Sequence, residues 1–195
     1  MRTSPVYLVH GFTASSKANW FPWLKNQLQK NGIALIIPDM PNTNDPHLLP
    51  WLQKLEEAAK EINENSIFIG HSLGCITALH FILKKNIKIK AAILVSGFME
   101  ENPMEVQKEG LSEFMEEAIE VETLKCLIPD RVIMTAVDDD IVPTAATRKM
   151  AEQLEGRLIE LSGGKHFIDR DGFTEFPEVL EVLKELISRG AGFSV

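Results

Sequence analysis

The sequence is poor in the features that mark secreted and membrane proteins. Only two of its 195 residues are cysteines, Cys75 and Cys126, too few for a disulfide framework. No apolar run approaches the roughly 18–20 residues of a membrane span. The first apolar run, residues 6–9, is too short for the core of a signal peptide. These absences predict a cytoplasmic protein with reduced thiols.

Basic residues are also scarce, with 20 Lys and Arg against 28 Asp and Glu and a net charge of −8. This excess of negative charge argues against nucleic acid or an anionic membrane surface as a partner. A chain of 195 residues can bury about 70% of its unfolded surface, so it needs no disulfide or metal to fold. We expect one domain over residues 1–189 and a disordered or foreign tail at 190–195.

Short β-branched runs alternate with helical patterns along the whole chain. The runs that resemble buried strands are residues 6–9, 33–37, 67–69, 91–95, 131–137 and 158–161. The helical patterns cover residues 20–30, 51–62, 73–83, 144–154 and 179–187. Strands that are apolar on both faces and flanked by helices are typical of a covered parallel sheet. The sequence therefore predicts a doubly wound α/β fold with about six mainly parallel strands.

One segment, residues 99–125, interrupts this alternation. It holds nine glutamates and two lysines, a net charge of −7. Its apolar residues nevertheless follow helical spacing, which indicates an amphipathic acidic helix. The residues with this spacing are Leu111, Phe114, Met115, Ala118 and Ile119. The segment is either a solvated connection over the sheet or a small helical cap inserted over a site.

The motif Gly70-His71-Ser72-Leu73-Gly74 lies between a predicted strand and an apolar helix. In this context G-x-S-x-G is typical of a nucleophile elbow, where small neighbours permit a strained turn that exposes the serine hydroxyl. The helix start would also direct free backbone N–H groups towards Ser72. The alternative is an ordinary serine that caps the helix.

A nucleophilic serine needs a base, and the base needs a group that holds its tautomer. His166 follows the last predicted strand, and three aspartates, Asp138, Asp139 and Asp140, follow the strand before it. The order serine, aspartate, histidine is that of α/β-hydrolases, and all of these residues follow carboxyl ends of strands. Other histidines are weaker candidates, because His47 and His80 belong to a loop and a helix, and His71 would point away from the serine hydroxyl.

Two backbone N–H groups are candidates for an oxyanion hole. One is that of Leu73, directly after the serine, and the other that of Phe12, after the turn at Gly11. The sequence holds no phosphate-binding loop, no H-E-x-x-H zinc motif and no calcium loop, so we expect neither cofactor nor metal. Cys75 lies one turn into a packed helix and is expected in the core.

Together these motifs resemble the small serine hydrolases that include retinoblastoma-binding protein 9 and the bacterial YdeN proteins, with the YdeN branch the more similar. The segments that carry the resemblance are Val9-His10-Gly11-Phe12, Asn19-Trp20-Phe21-Pro22-Trp23-Leu24, Met40-Pro41-Asn42, His71-Ser72-Leu73-Gly74-Cys75, Leu94-Val95-Ser96-Gly97-Phe98, Asp138-Asp139-Asp140-Ile141-Val142-Pro143 and His166-Phe167 with Gly172-Phe173-Thr174. The resemblance implies a compact α/β-hydrolase fold without the first strands of larger relatives.

The resemblance also implies which aspartate belongs to the catalytic triad. In the pattern D-D-x-x-[VL]-P it is the second aspartate, which is Asp139 here, and we expect Asp138 and Asp140 to be solvated. The chain departs from the pattern directly before the histidine, where the resemblance implies a glycine and Lys165 stands instead.

The sequence thus predicts a serine hydrolase that cleaves a small carboxylic ester, or an amide, through Ser72, His166 and Asp139. Four apolar residues are candidates for the pocket wall, although core packing would explain each of them as well: Trp20, Met40, Phe98 and Met99. The alternative is a protein-binding module on a hydrolase scaffold with a slow or vestigial site. The sequence holds no motif that identifies a protein partner.

Overall fold

Six parallel strands form the central sheet. The computed structural model describes residues 5–100, 103–104 and 109–189. Its strands are β1 (Val6–Val9), β2 (Leu35–Ile36), β3 (Ile67–His71), β4 (Ala91–Val95), β5 (Asp130–Ala136) and β6 (Arg157–Leu161). Every neighbouring pair is parallel, in the order β2-β1-β3-β4-β5-β6. The predicted α/β fold is confirmed, and the sheet of the described residues is parallel throughout.

Helices cover both faces of this sheet. They are α1 (Phe21–Lys30), α2 (Leu48–Ala58), α3 (Leu73–Lys85), α4 (Glu109–Glu116), α5 (Val121–Leu127), α6 (Thr144–Gln153) and α7 (Pro177–Ser188). Successive residues of a strand point to opposite faces, so Val6 and Leu8 pack with α1 and α7, whereas Tyr7 and Val9 pack on the side of α2 and α3. Two separate apolar cores result, one on each face.

The acidic segment differs from the single helix that its spacing predicts. The structure has two helices there, because α4 ends at Glu116 and α5 begins at Val121. The break lets each helix bury its own apolar residues, Leu111 and Phe114 on α4 and Leu124 on α5. Between them Ala118 is exposed, although it follows the helical spacing.

Two further elements are shorter than their patterns predict. Strand β2 has only two residues, because only Leu35 and Ile36 pair with β1. Helix α2 ends at Ala58, before the apolar pattern that runs on to Ile62.

Some predicted features fall outside the part of the chain that the structure describes. These are the tail at residues 190–195, and residues 101–102 and 105–108 of the acidic segment. Within the described part, every helix is too short or too polar to cross a bilayer.

The strand order positions the site. From β1 the chain adds β2 on one side and then returns to add β3 to β6 on the other. Crevices form at such reversals, at the carboxyl ends of the strands. The loop after β1 and the turn after β3 are therefore neighbours, and the loops after β5 and β6 end at the same edge.

Candidate active site

Ser72 stands between β3 and α3 in a strained backbone conformation. Its φ is 55° and its ψ is −127°. A positive φ outside glycine costs about 1–3 kcal/mol and persists where the surroundings fix it. The N–H of Ser72 donates to the carbonyl of Val95 at 2.9 Å, and its own carbonyl accepts the N–H of Cys75 at 2.9 Å. Hydrogen bonds on both sides therefore hold the turn.

The glycines of the motif allow α3 to begin directly above the sheet. A Cβ at Gly74 would lie 2.0 Å from the carbonyl oxygen of Val9, and one at Gly70 would lie 2.6 Å from the Cα of Cys75. Both separations are far below the roughly 3.5–4.0 Å of ordinary contact. Any side chain at either position would push α3 away from the strands, and with it the free N–H groups of its first turn.

His166 and Asp139 form a buried hydrogen-bonded pair. The side chain of Asp139 is 0% exposed and that of His166 is 4% exposed. The His166 Nδ1–H donates to the carboxylate, with both oxygens at 3.0 Å. One of these oxygens also accepts the N–H groups of Ile141 and Val142, at 3.0 and 2.9 Å. These bonds fix the proton on Nδ1 and leave Nε2 as the basic nitrogen.

The charge state of Asp139 follows from these contacts. Burial, the largest single effect, raises its pKa, but the hydrogen bond and charge of His166 and the two backbone N–H groups act in the other direction. Together they hold the pKa of Asp139 below its ordinary value. The carboxylate is therefore ionised at neutral pH and can stabilise an imidazolium.

The two neighbouring aspartates have different surroundings. Asp138 is exposed and accepts the backbone N–H of Lys165 at 2.9 Å. Asp140 is also exposed, with its carboxylate 3.8 Å from the ammonium of Lys165 and 3.6 Å from the guanidinium of Arg170. Of the three adjacent aspartates, Asp139 is the one whose carboxylate bonds His166.

The loop after β1 closes against the serine. A Cβ at Gly11 would lie 2.8 Å from the Cβ of Ser72 and 3.3 Å from its hydroxyl oxygen. His10 anchors this loop, because its Nδ1–H donates to the Gly11 carbonyl at 3.0 Å and its Nε2 accepts the N–H of Met40 at 3.1 Å. Burial lowers the pKa of His10, which keeps the ring neutral for both bonds. The structure thus brings residues 11 and 12 beside the turn at Ser72, as the sequence predicts.

Ser72 and His166 line one cavity of about 240 Å³. Its remaining lining residues are Gly11, Phe12, Thr13, Ala14, Ala18, Asn19, His71, Met104, Ile141, Ile168 and Asp169. One small cavity therefore gives a ligand access to the serine, the histidine and the loop after β1 at once.

Comparison with known proteins shows the family to which the chain belongs. The model of the serine hydrolase family matches residues 6–185. The chain belongs to the serine hydrolase family. YdeN of Bacillus subtilis is 35% identical over 189 residues, which is 96% of this chain and 98% of that protein. The crystal structure of the ydeN gene product superposes with a TM-score of 0.89 at 34% identity, covering 95% of this chain and all of that one.

More distant members and neighbours agree with the fold. Serine hydrolase RBBP9 of Rattus norvegicus is 25% identical over 170 residues, 87% of each chain. Alpha/beta hydrolase domain-containing protein 10 from mouse superposes with a TM-score of 0.75 at 13% identity, covering 96% of this chain and 91% of that one. This serine hydrolase therefore has the α/β-hydrolase fold predicted from its motifs.

In this serine hydrolase the loop that carries the histidine is strained. Lys165 has φ 47° and Phe167 has φ 54°, both in the left-handed region. Glycine adopts this region at little cost, so the lysine stands at a position that favours glycine. Its ammonium lies 3.4 Å from the carboxylate of Asp171. The side chain thus extends to a mostly buried carboxylate, and its backbone is held by Asp138.

The walls of the serine hydrolase cavity differ from the predicted ones. Trp20 is fully buried against Phe21 and Phe176, and Met40 packs in the core on the side of α2. Two others, Phe98 and Met99, line a different cavity of about 120 Å³.

The residues that do form the wall carried only a weak sequence signal. Ile141 and Ile168 each follow a predicted triad residue by two positions, and that proximity could have identified them. Met104 lies in the acidic segment, and no pattern in the sequence points to it.

The other histidines have structural partners. His47 lies at the surface and bonds the carboxylate of Glu113 on α4 at 2.7 Å. His80 is buried, and its Nε2–H donates to the carbonyl of Phe114 at 2.7 Å. Both contacts attach α4 to the body of the serine hydrolase.

Proposed function

We propose that the protein hydrolyses small carboxylic esters through a Ser72-His166-Asp139 triad, with amides as the second substrate class. The observation that carries the proposal is the buried His166–Asp139 pair, whose histidine lines the same cavity as Ser72 on its strained turn. A histidine whose Nδ1–H is held by an ionised carboxylate presents Nε2 as a base. This arrangement serves acyl transfer and has no evident purpose in a passive binding surface.

In the first step the Ser72 hydroxyl oxygen attacks the carbonyl carbon of the ester. Its proton passes to Nε2 of His166, and Asp139 stabilises the resulting imidazolium. The carbonyl oxygen gains the negative charge, and the backbone N–H groups of Phe12 and Leu73 would bind it. The tetrahedral intermediate then expels the alcohol, which takes the proton from Nε2.

In the second step water replaces the alcohol. Nε2 accepts a proton from the water as its oxygen attacks the acyl carbon, and the same oxyanion donors bind the second intermediate. Collapse releases the carboxylic acid and returns the proton to Ser72. The cycle restores every group, and no cofactor takes part.

The cavity suggests the size and charge of the substrate. Its volume of about 240 Å³ lies below the roughly 300–1,000 Å³ of sites for drug-sized ligands, which favours a short acyl or alcohol group. Asp169 is the carboxylate among its described lining residues, and the chain carries a net charge of −8. We therefore expect neutral or cationic esters to react faster than anionic ones of the same shape. Equal rates for a matched pair at low salt would contradict this expectation.

The decisive experiment is labelling with a fluorophosphonate, followed by intact mass. We would compare the parent protein with Ser72→Ala and with Ser96→Ala. Ser96 is a matched control, because it also follows a buried strand, is 0% exposed and has a positive φ of 49°. Its hydroxyl oxygen is buried and has no hydrogen-bond partner in the described part of the chain, so removing it should cost little.

We expect a single adduct in the parent and in Ser96→Ala, and none in Ser72→Ala. A parent that folds but takes no label, or a Ser72→Ala variant that is labelled as fast as the parent, would overturn the proposed function. The first of these results would support the protein-binding alternative.

A further inference from the structure

His71 precedes the nucleophile, and its ring is almost completely buried. It is 2% exposed and lies among aromatic rings, with centroids 6.1 Å from Trp20 and 5.8 Å from Phe21. The mechanism proposed above does not use it. A buried polar side chain beside the reacting groups therefore needs a physical explanation.

The polar contact of this ring is made to the proposed base. Nε2 of His71 lies 2.9 Å from the backbone carbonyl oxygen of His166, and the two imidazole rings are 5.0 Å apart. A carbonyl only accepts, so the proton of His71 is on Nε2, and this N–H donates to the carbonyl. The hydrogen bond joins the residue before the nucleophile to the base itself.

The sheet does not provide this connection. Strand β3, which carries the elbow, is separated from β6 by β4 and β5. The histidine loop follows β6, an edge strand, and its backbone is left-handed at Lys165 and at Phe167. Such strained residues persist only where their surroundings fix them, as the bond from the Lys165 N–H to Asp138 does at one point of the loop. A direct bond from the end of β3 ties the loop to the centre of the sheet.

The His71 ring is suited to a permanent, uncharged tether. Burial, followed by the nearby charge of His166, lowers the pKa of His71 to about 3. The carbonyl of His166 and the charge of Asp139 oppose this shift but do not cancel it. The ring therefore stays neutral while its neighbour becomes an imidazolium in each catalytic cycle. Its other nitrogen, Nδ1, is buried without a partner in the described residues, so the ring is held by the bond from Nε2.

We propose that His71 is a positioning residue, whose hydrogen bond to the backbone of His166 holds the imidazole in register with Ser72. This inference rests on the proposed function for its kinetic consequence. Its structural content, a tether between the elbow and the histidine loop, is independent of turnover.

Three variants test the proposal. His71→Leu removes the donor and keeps an apolar side chain, whereas His71→Gln places an amide N–H the same number of bonds from the backbone as Nε2. His80→Leu is the matched control, since His80 is also buried and donates Nε2–H to a backbone carbonyl, but at α4. The rate constant for fluorophosphonate labelling and the kcat and KM for a short chromogenic ester are measured for each.

We expect His71→Leu to lower the labelling rate and kcat by about 10- to 100-fold, since a displacement of about 1 Å can have such an effect. KM should change less than about threefold, and His71→Gln should recover most of the loss. His80→Leu should label as fast as the parent even if it is less stable. Equal labelling rates for His71→Leu and His80→Leu, or no recovery in His71→Gln, would overturn the inference.

Two measurements do not depend on turnover. Side-chain NMR should show His71 as the neutral Nε2–H tautomer from pH 5 to pH 8. Amide exchange at residues 166–168 should accelerate in His71→Leu and not in His80→Leu. If the parent takes no label, the proposed function fails, and these two measurements still decide the tether. A titrating His71 or unchanged exchange would overturn it.

Discussion

Replacing Asp139 by asparagine tests the arrangement of the triad most directly. An asparagine fills the same space and can still accept the two backbone N–H groups of Ile141 and Val142. Its amide NH₂ would then face the Nδ1–H of His166, where the second carboxylate oxygen lies 3.0 Å away. Two donors cannot bond each other, so the imidazole moves its proton to Nε2 and can no longer accept one from Ser72.

The size of the effect follows from the role of the carboxylate. Loss of the correct tautomer in a serine triad lowers kcat by about 10⁴-fold. Such a loss corresponds to about 5.4 kcal/mol of activation free energy, at 1.36 kcal/mol for each factor of ten. We expect a decrease of at least about 10³-fold for Asp139→Asn. KM for a short chromogenic ester should change only a few-fold, because the substrate does not contact Asp139.

The neighbouring aspartates provide matched controls for this measurement. Asp138→Asn keeps an oxygen for the N–H of Lys165, and Asp140→Asn removes only exposed ion pairs, which contribute at most about 1 kcal/mol. Both variants should retain kcat within about threefold of the parent. Urea unfolding of all three variants verifies that each is folded. More than a tenth of parental kcat in Asp139→Asn, or an equal loss in either control, would refute the assignment.

Three further predictions concern packing, thiol chemistry and pH. Gly74→Ala should lower the free energy of unfolding by about 3 kcal/mol or more, because its Cβ would meet a β1 carbonyl at 2.0 Å. Gly163→Ala, whose nearest contact is 3.7 Å, should change it by less than about 0.5 kcal/mol in the same urea titration. Iodoacetamide should alkylate the exposed Cys126 of the native protein and not Cys75, whose pKa is raised by burial, and mass spectrometry of peptides distinguishes them. The hydrogen bond that His47 donates to the carboxylate of Glu113 raises the pKa of His47. This pair therefore stabilises the protein fully below about pH 6.5, and the stabilisation is lost as pH rises through the raised pKa. The difference in urea midpoint between the parent and His47→Gln should therefore be larger at pH 5.5 than at pH 9.

Local sequence patterns are sufficient to predict the turn at Ser72 and the strands that precede the other site residues. Strand β3 begins with a short apolar run and helix α3 is a longer, nearly all-apolar run, and the G-x-S-x-G motif joins them at Ser72, so the turn is visible without a structure. The pairing of His166 with Asp139 could be anticipated because both residues lie in loops that follow strands, and parallel strands end at one edge. Choosing Asp139 among three adjacent aspartates depended on resemblance to a family, since nothing local distinguishes them.

The cavity wall could not be predicted, for a different reason. The sequence around Trp20 is amphipathic, so its side chain could line a pocket or pack in the core. In the structure it packs against Phe176 and lies in the core. Met104 lines the cavity, and its place there depends on tertiary packing that no local pattern in the acidic segment shows. The break between α4 and α5 has the same origin, because each helix packs so as to bury its own apolar residues.

The position of the histidine loop after the last strand affects how the protein acquires its reactivity during synthesis. The elbow at Ser72 is encoded in the first half of the chain, but His166 comes after β6, and the next residue, Phe167, packs on Phe176 just before α7. A nascent or truncated chain that ends before this loop therefore lacks the base. Under the proposed mechanism such a chain is inert towards esters, and the hydroxyl becomes nucleophilic when the carboxyl-terminal elements dock. Reaction with a fluorophosphonate would then also report that synthesis and folding are complete.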